Sequence, residues 1–406
     1  VKISKLTNIA LIVTATLSSA AFANGNDARG VGMGGVGVAS ADYLSSGFYN
    51  PALAAQYHDN DDFGMILPSV VLSVHDENDL YNKIDEFQSI NDTINNLTTS
   101  GTHSINTTSA EADIAKWIDA LNALDNSTVS VDVNAGIAVS VPNHYASAIL
   151  FTRAVATGLI STHVDQADIN YIKEHGKAPE NNQLKSSVNA LAGGYADIGL
   201  SLAHNFTLPF NGQSFAVGIS PKMQKIYALK YKKNMGEFED SKFNVGDDHT
   251  EKSAFNVDFG FTYKPAQNVT IGFAATNLIK QELETNIEVS NNVKSSATYI
   301  IEPKYTLGTS FSNELVTIAA DIDLNKQHYF KEVATNTQFA NFGVELNAWD
   351  WAQLRAGYSH SMTDYAKDKI SAGIGLKPFG VFGVDIGAQY GQDNNYTVAA
   401  QFVLTI

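Results

Sequence analysis

The sequence predicts an all-β protein: a transmembrane antiparallel β-barrel of about fourteen strands, with an N-terminal plug and a helical hairpin in the first external loop. Three observations carry that expectation. Strand-like runs alternate between an apolar, almost uncharged face and a polar face of small and acidic residues. The connections between runs alternate between short and long. The chain also opens as an exported protein does.

At the N-terminus, Lys2 and Lys5 precede the apolar run Ile9-Ala10-Leu11-Ile12-Val13, and small residues lead to Ala21-Phe22-Ala23. A basic start, a short apolar core and an A-x-A site predict a signal peptide over residues 1–23, cleaved before Asn24. That run is too short to span a bilayer, and no later stretch approaches ~18 consecutive apolar residues. The expected compartment is therefore the bacterial outer membrane, with outer-membrane lipid as the barrel's surroundings.

Composition narrows the function. The chain has no cysteine, so disulfides and thiolate metal sites are excluded. The formal net charge is −16, or −18 without Lys2 and Lys5, and the basic footprint of a nucleic-acid binder is missing. With 44% of residues hydrophobic and 17% charged, the chain has the means to fold.

Residues 24–60 form the expected plug, or hatch. Ala28 to Ala52 is rich in glycine and small residues and closes on Asn50-Pro51-Ala52. Gly30-Val31-Gly32-Met33-Gly34-Gly35 satisfies G-x-G-x-x-G, but no strand precedes it and Asp42 is too near to serve as the ribose acid. Gly34 and Gly37 would also weaken a helix start. Its glycines fit backbone packed closely in a confined space, with Asn50-Pro51 as a turn ending the segment.

The barrel is expected over residues 61–406. Its first strand runs roughly from Asp62 to His75. The insertion 77–125 follows, where Leu80, Ile84, Phe87, Ile90, Ile94 and Leu97, then Ile114, Trp117, Ile118, Leu121 and Leu124, recur at helical spacing. From Val129 the period becomes two: Val129, Val131, Val133, Ala135, Ile137, Val139 and Val141 share one face, and Ser130, Asp132, Asn134, Gly136 and Ser140 the other. The alternation returns at 255–263, 316–324 and 384–390. Tyr263, Trp349, Trp351, Tyr358, Tyr390 and Tyr396 stand near strand ends, as interfacial girdles require.

Loop length supplies a parity test. Short connections fall at 142–144, 208–212, 265–268, 312–313, 348–350 and 377–380. Long polar ones fall near 77–127, 165–184, 233–251, 285–298 and 325–337, with shorter ones at 361–368 and 391–395. Every long connection lies at an odd-to-even crossing, so all share one end of the barrel, and the helical hairpin is expected above the barrel on the outside. The final strand from Tyr396 ends in Ile406, where many outer-membrane barrels end in an aromatic residue.

The phrase Gly32-Met33-Gly34-Gly35-Val36-Gly37-Val38-Ala39, then Ala41-Asp42 and Asn50-Pro51-Ala52, resembles the hatch of the FadL-type outer-membrane transporter superfamily. Gly218-Ile219-Ser220-Pro221-Lys222 and Leu354-Arg355-Ala356-Gly357-Tyr358 are similar to other phrases of that superfamily. The helical insertion is more similar to the TraF-like conjugal-transfer barrel branch. The resemblance covers nearly the whole mature chain. It implies a barrel plugged by its N-terminal segment, with hydrophobic small molecules as the transported ligands of the FadL branch. For the TraF-like branch it implies association with conjugation-apparatus proteins. The alternative to transport is a surface anchor or assembly factor that contacts a partner through the helical hairpin.

Candidate site residues follow from these patterns. Arg29, Gly30, Gly32, Gly34, Gly35, Gly37, Asp42, Asn50 and Pro51 belong to the plug. Asp132, Asp197, Asp258, Asp321, Asp323, Glu345 and Asp385, with Lys222 and Arg355 as opposite charges, should face the lumen. A cation-attracting lumen, a set of acids that hold the plug, and an ordinary hydrated interior are the three readings of that set. One specific expectation is that Arg29 pairs with one of these acids. No H-x-x-x-H, H-E-x-x-H or G-x-S-x-G motif occurs, so neither a metal site, a cofactor nor an enzyme is expected. Asp247-Asp248-His249 is an acidic loop that could attract divalent cations, though solvated charge runs are commoner.

Overall fold

The computed structural model describes residues 25–57, 62–99, 108–143, 145–209, 212–236, 249–290, 293–349 and 351–406. The signal-peptide expectation over 1–23, the ends of the plug segment at 24 and 58–60, and Asp247-Asp248 lie outside the described residues. Fourteen antiparallel strands close into a barrel, numbered β1–β14 here. They are β1 Gly64–His75, β2 Thr128–Val141, β3 Ser147–His163, β4 Ser187–Thr207, β5 Ser214–Asn234, β6 Thr250–Ala266 and β7 Val269–Thr276. The ring continues with β8 Lys304–Ser312, β9 Val316–Asp323, β10 Phe339–Trp349, β11 Ala352–Ser361, β12 Lys369–Leu376, β13 Phe382–Gly391 and β14 Asn395–Thr405.

Closure is made by β1 against β14, in register from Gly64↔Thr405 to His75↔Asn395. Pairing therefore leaves no free edge, the condition for crossing a medium that cannot hydrogen-bond to backbone. The register slips between Ile66 and Ser69 on both sides of β1, where Pro68 has no N–H to give. Outward side chains such as Ile198, Ile219, Ile271, Ile318, Phe342 and Ile386 are exposed and apolar, while each has a buried polar neighbour on the inward face: Asp197, Ser220, Thr270, Thr317, Asn341 and Asp385. No described helix is long and apolar enough to cross a membrane.

The wall is taller on one side. Strands β4 and β5 each have 21 residues, roughly twice the 9–11 that a tilted spanning strand needs. The extra length carries the helical insertion. After the short N-terminal helices α1 (Ala28–Gly32) and α2 (Ser46–Tyr49), helices α3 (Leu80–Thr99) and α4 (Thr108–Leu124) meet at Phe87 and Trp117, whose rings lie 5.5 Å apart. Trp117 donates its indole N–H to Asn91 (2.9 Å), and Asp76 caps α3 through the Leu80 N–H (2.7 Å).

The position of this insertion differs from the expectation. Its apolar cluster includes Leu80, Phe87, Trp117, Leu121, Val129 and Val188, with Val74 and Ile160 packed alongside. Val74, Val129, Ile160 and Val188 point outward from their strands, because Ser73, Ser130, Arg153 and Asp197 point inward. The helices therefore lie against the outer surface of the wall extension rather than above the barrel. The reason is hydrophobic: the alternation continues past the height of a bilayer, and the apolar face that emerges needs a protein cover. Helix α5 (Gln166–His175), capped by Asp165 and ended by Gly176 at φ 65°, completes that cover within a stretch whose polarity suggested only a loop.

The mouth is covered instead by the connections 277–303 and 324–338. These form small two-stranded sheets that pair Gln281–Glu284 with Thr298–Ile301 and Gln327–His328 with Asn336–Thr337. Tyr299 and Phe330 join Val155, Tyr195 and Ile301 in a buried cluster, and the Tyr299 ring lies on Gly193 of β4.

Candidate functional site

The lumen is occupied by residues 25–57. Their local fold follows from Asp27, which accepts hydrogen bonds from the Gly30 N–H (2.7 Å), Ser45 Oγ (2.6 Å) and Tyr49 OH (3.0 Å). It caps helix α1 (Ala28–Gly32) and ties it to α2 (Ser46–Tyr49). Gly34 and Gly35, at φ 75° and 96°, turn the chain where a side chain would be strained. Asp42 accepts from the Ser45 N–H (2.9 Å). Asn50 does more than end a turn: it caps the 3-10 helix Pro51–Ala55, with Pro51 in the first turn, and donates to the Val38 carbonyl (2.8 Å).

This segment meets strands around the whole ring. The α1 helix lies on β12 to β14, residues 37–39 on β7 to β9, residues 50–52 on β5 and β6, and Phe48 on Gly136 and Phe151 of β2 and β3. Close approach depends on glycines in the wall. Gly218, Gly260, Gly272, Gly343, Gly357 and Gly387 stand where any β-carbon would overlap the backbone or Asn50 of the segment. Sequence reading missed this set, since a glycine adds nothing to an alternation of apolar and polar side chains; Gly218 and Gly357 lie within the superfamily-like phrases, the available signal.

Charge fixes the segment in place. Arg29 binds Glu345 of β10 through two bonds (2.9 and 2.8 Å), and Glu345 also accepts from Arg355 of β11 (2.7 Å). Arg355 reaches on to Asp385, which accepts from Gln401 (2.9 Å), and Gln401 in turn accepts from the Ala28 N–H (3.2 Å). On β9, the strand next to that of Glu345, Asp321 accepts from the Gly37 and Val38 N–H groups (2.7 and 2.9 Å). Lys222 sits 3.2 Å from Asp197 and 2.9 Å from Asp258, all three buried. Asp323 binds Lys304 (3.0 Å), and Asp132 accepts from Thr157 (3.1 Å). All nine charged lumen candidates are thus inside the wall, in three groups rather than one centre, with Asp132 apart. Arg153 of β3 was missed; it is buried, donating to Tyr195 OH (2.9 Å) and the Phe48 carbonyl (3.3 Å).

Between the N-terminal segment and the inward-folded loops remains a chamber of about 170 Å³. Phe48 and Tyr49 line it from the segment, Asn134, Arg153 and Asp321 from the wall, and Tyr299 from the loops. At its loop side Glu302 lies 2.9 Å from His328 Nδ1. Burial pushes the Glu302 carboxyl up, but the hydrogen bonds from His328 and Lys280 outweigh this and hold it below the usual range. Among the described residues no group of His, Asp and Glu could hold a metal ion.

Comparison with solved structures finds the same barrel fold in three hydrocarbon channels and transporters. The CymD monoaromatic hydrocarbon channel matches with TM-score 0.54 and 10% identity over 95% of this chain and 99% of its own. The Ralstonia pickettii toluene transporter TbuX matches with TM-score 0.53 and 9% identity, again over 95% and 99%. A deltaS2S3 mutant of the monoaromatic hydrocarbon channel TodX matches with TM-score 0.52 and 13% identity, over 94% and 98%. At such identities the likeness is one of fold. No curated protein sequence matches the chain. Residues 47–323, more than half of the chain, match the model of the family described as "F plasmid transfer operon, TraF, protein", and the chain belongs to that family.

Proposed function

We propose that this protein is an outer-membrane channel for small molecules whose N-terminal segment is its gate. The observation that carries the reading is the seat of residues 25–57, which touch strands around the ring and are held by side chains that a local movement could release. Such a segment can leave the lumen without breaking one bond of the β-ladder, so passage and barrel stability are separable. The outward apolar band and the signal-like residues 1–23 support the outer membrane as its location, with outer-membrane lipid as its contact. The names of CymD and TbuX, a hydrocarbon channel and a toluene transporter, support a solute with a hydrophobic body. Lumen side chains bind and release the gate in this reading and carry out no reaction.

The test is removal of Asn24 to Gln56. The shortened protein should keep its β-rich circular dichroism and its shift on gels between unheated and boiled samples. It should also conduct in planar bilayers where the parent is closed. A barrel that no longer assembles, or that conducts no more than the parent, refutes the gate.

A second reading rests on the family description, which names a plasmid transfer operon. Helices α3 and α4 are fixed to the outer wall and turn Lys83, Glu86, Lys116 and Asp119 outward, a polar face that a conjugation-apparatus protein could meet. Capture of transfer proteins that is lost on deleting residues 77–125 supports it; capture that survives the deletion excludes that face.

A further inference from the structure

We propose that removal of the leader is the event that lets the N-terminal segment seat, because the amino end it frees, at Asn24, belongs inside the lumen. This rests on reading residues 1–23 as a signal peptide and residues 25–57 as the gate, and it adds when that gate closes. The described chain starts at Gly25, which is buried, takes φ 115° and lies so close to α1 that a β-carbon would stand 2.8 Å from the Val31 nitrogen. Asn26 follows with its N–H and both ends of its side chain engaged. The N–H donates to Tyr49 OH (2.8 Å), Nδ2 donates to the Phe48 carbonyl (2.7 Å), and Oδ1 accepts from Asn134 of β2 (3.2 Å). The start of the mature chain is thus a fixed point of the seat, where most chain termini are loose.

Gly25 and Asn26 line the chamber of about 170 Å³, on the side of the segment that faces the inward-folded loops. Two consequences of this placement exclude an attached leader. The first is room. Twenty-four residues precede Gly25, and fully extended they reach about 80 Å. The chamber holds a few waters, and its roof is joined by the Ile300 N–H to the Tyr329 carbonyl (2.9 Å) and the Lys331 N–H to the Thr298 carbonyl (3.0 Å). The second is side. The long connections put the chamber at the outer end of the barrel, while a leader is held at the inner membrane, beyond the short turns. A chain tethered there would have to thread a lumen that its own next residues fill. Hydrolysis of the Ala23–Asn24 peptide bond by a processing protease and one water leaves a carboxylate on Ala23 and an ammonium on Asn24. It removes both obstacles, since a single residue then precedes Gly25.

The experiment compares two chains refolded in detergent. One is residues 24–406; the other carries ahead of it a polar leader of the same length as residues 1–23, ending in the site of a protease that cuts directly before Asn24. Hydrogen exchange at the Ala28, Val31, Gly37 and Val38 amides reads seating, and planar-bilayer conductance reads closure. The leader-bearing chain should exchange these amides at least tenfold faster, with strand amides of β4 and β5 unchanged, and should conduct more. Cutting should return both readouts to those of residues 24–406. Where the leader-bearing chain fails to assemble, the unaltered mature protein decides. A bulky amine-reactive ester near neutral pH, where an α-amine reacts ahead of lysine, should label Asn24 at least tenfold more slowly in the folded than in the unfolded protein. Equal protection with the leader attached, or an Asn24 amine as reactive folded as unfolded, overturns the proposal. A leader-bearing chain that stays closed while the Asn24 to Gln56 deletion leaks leaves the gate standing without this requirement. Protection restored by cutting, beside a deletion that does not leak, means that the segment seats on processing without being the gate.

Discussion

Replacing Glu345 by glutamine tests the ionic hold on the N-terminal segment most directly. Glu345 accepts three charged hydrogen bonds, two from Arg29 at 2.8–2.9 Å and one from Arg355 at 2.7 Å, with Glu345 and Arg355 almost fully buried. Removing one partner of a buried ion pair costs about 3–5 kcal/mol, because the remaining charge is left without compensation. The glutamine keeps one acceptor oxygen, Arg355 keeps Asp385, and Arg29 keeps the Ser40 carbonyl. These residual contacts place the effect at the low end, about 3 kcal/mol, which is roughly a hundredfold in the opening equilibrium. Hydrogen exchange reads that equilibrium locally. The amides of Val31, Gly37 and Val38, each bonded within the segment or to Asp321, should lose about a hundredfold of protection. Strand amides of β4 and β5 should not change. Segment protection within about threefold of the parent, in a barrel that still shifts on heating, would show that these charges do not hold the segment. Uniform loss across segment and strands would show that Glu345 stabilises the barrel instead.

Three further perturbations separate the other structural claims. Gly343→Val places side-chain atoms where the Met33 backbone passes, so the segment should be displaced and planar-bilayer conductance should rise while the barrel assembles normally. Phe259→Lys puts a charge on the outward face beside inward Asp258, and denaturant unfolding should show a loss of about 2–4 kcal/mol; an unchanged value would mean that the face is not in lipid. Trp117→Ala removes the buried centre of the helical insertion at a cost of about 3–5 kcal/mol. Helical circular dichroism at 222 nm should fall while the heat-dependent gel shift stays.

What could be read from sequence was what periodicity encodes. Fourteen strands, the odd-to-even sorting of long connections and the inward charges all follow from a period of two and from turn residues. The periods also located α3 and α4, since Phe87 and Trp117 lie on clear apolar stripes. Where those helices pack was not legible. A stripe declares that a face will be covered, not which surface covers it, and here the surface is the outer wall at Val129 and Val188. Arg153 escaped notice because β3 has small and apolar residues on both faces around it, so its phase was not apparent. The Arg29–Glu345 geometry depends on registers accumulated through many strands, which residue types alone do not fix.

The seat of the N-terminal segment has a consequence for the order of assembly. Ala28 bonds Gln401, 373 residues away, and Val31 bonds Gln389, 358 residues away. Contacts of such sequence separation form late, because the intervening chain must first be organised. The part of the molecule made first must therefore wait, unseated, until β13 and β14 exist. Docking of residues 25–57 is then a built-in proof of completion, since a nascent barrel missing its last hairpin presents no place for α1. If the segment is the gate proposed above, the interval before docking is when the ring stands open, and the rate of that last step sets how long an unfinished copy conducts.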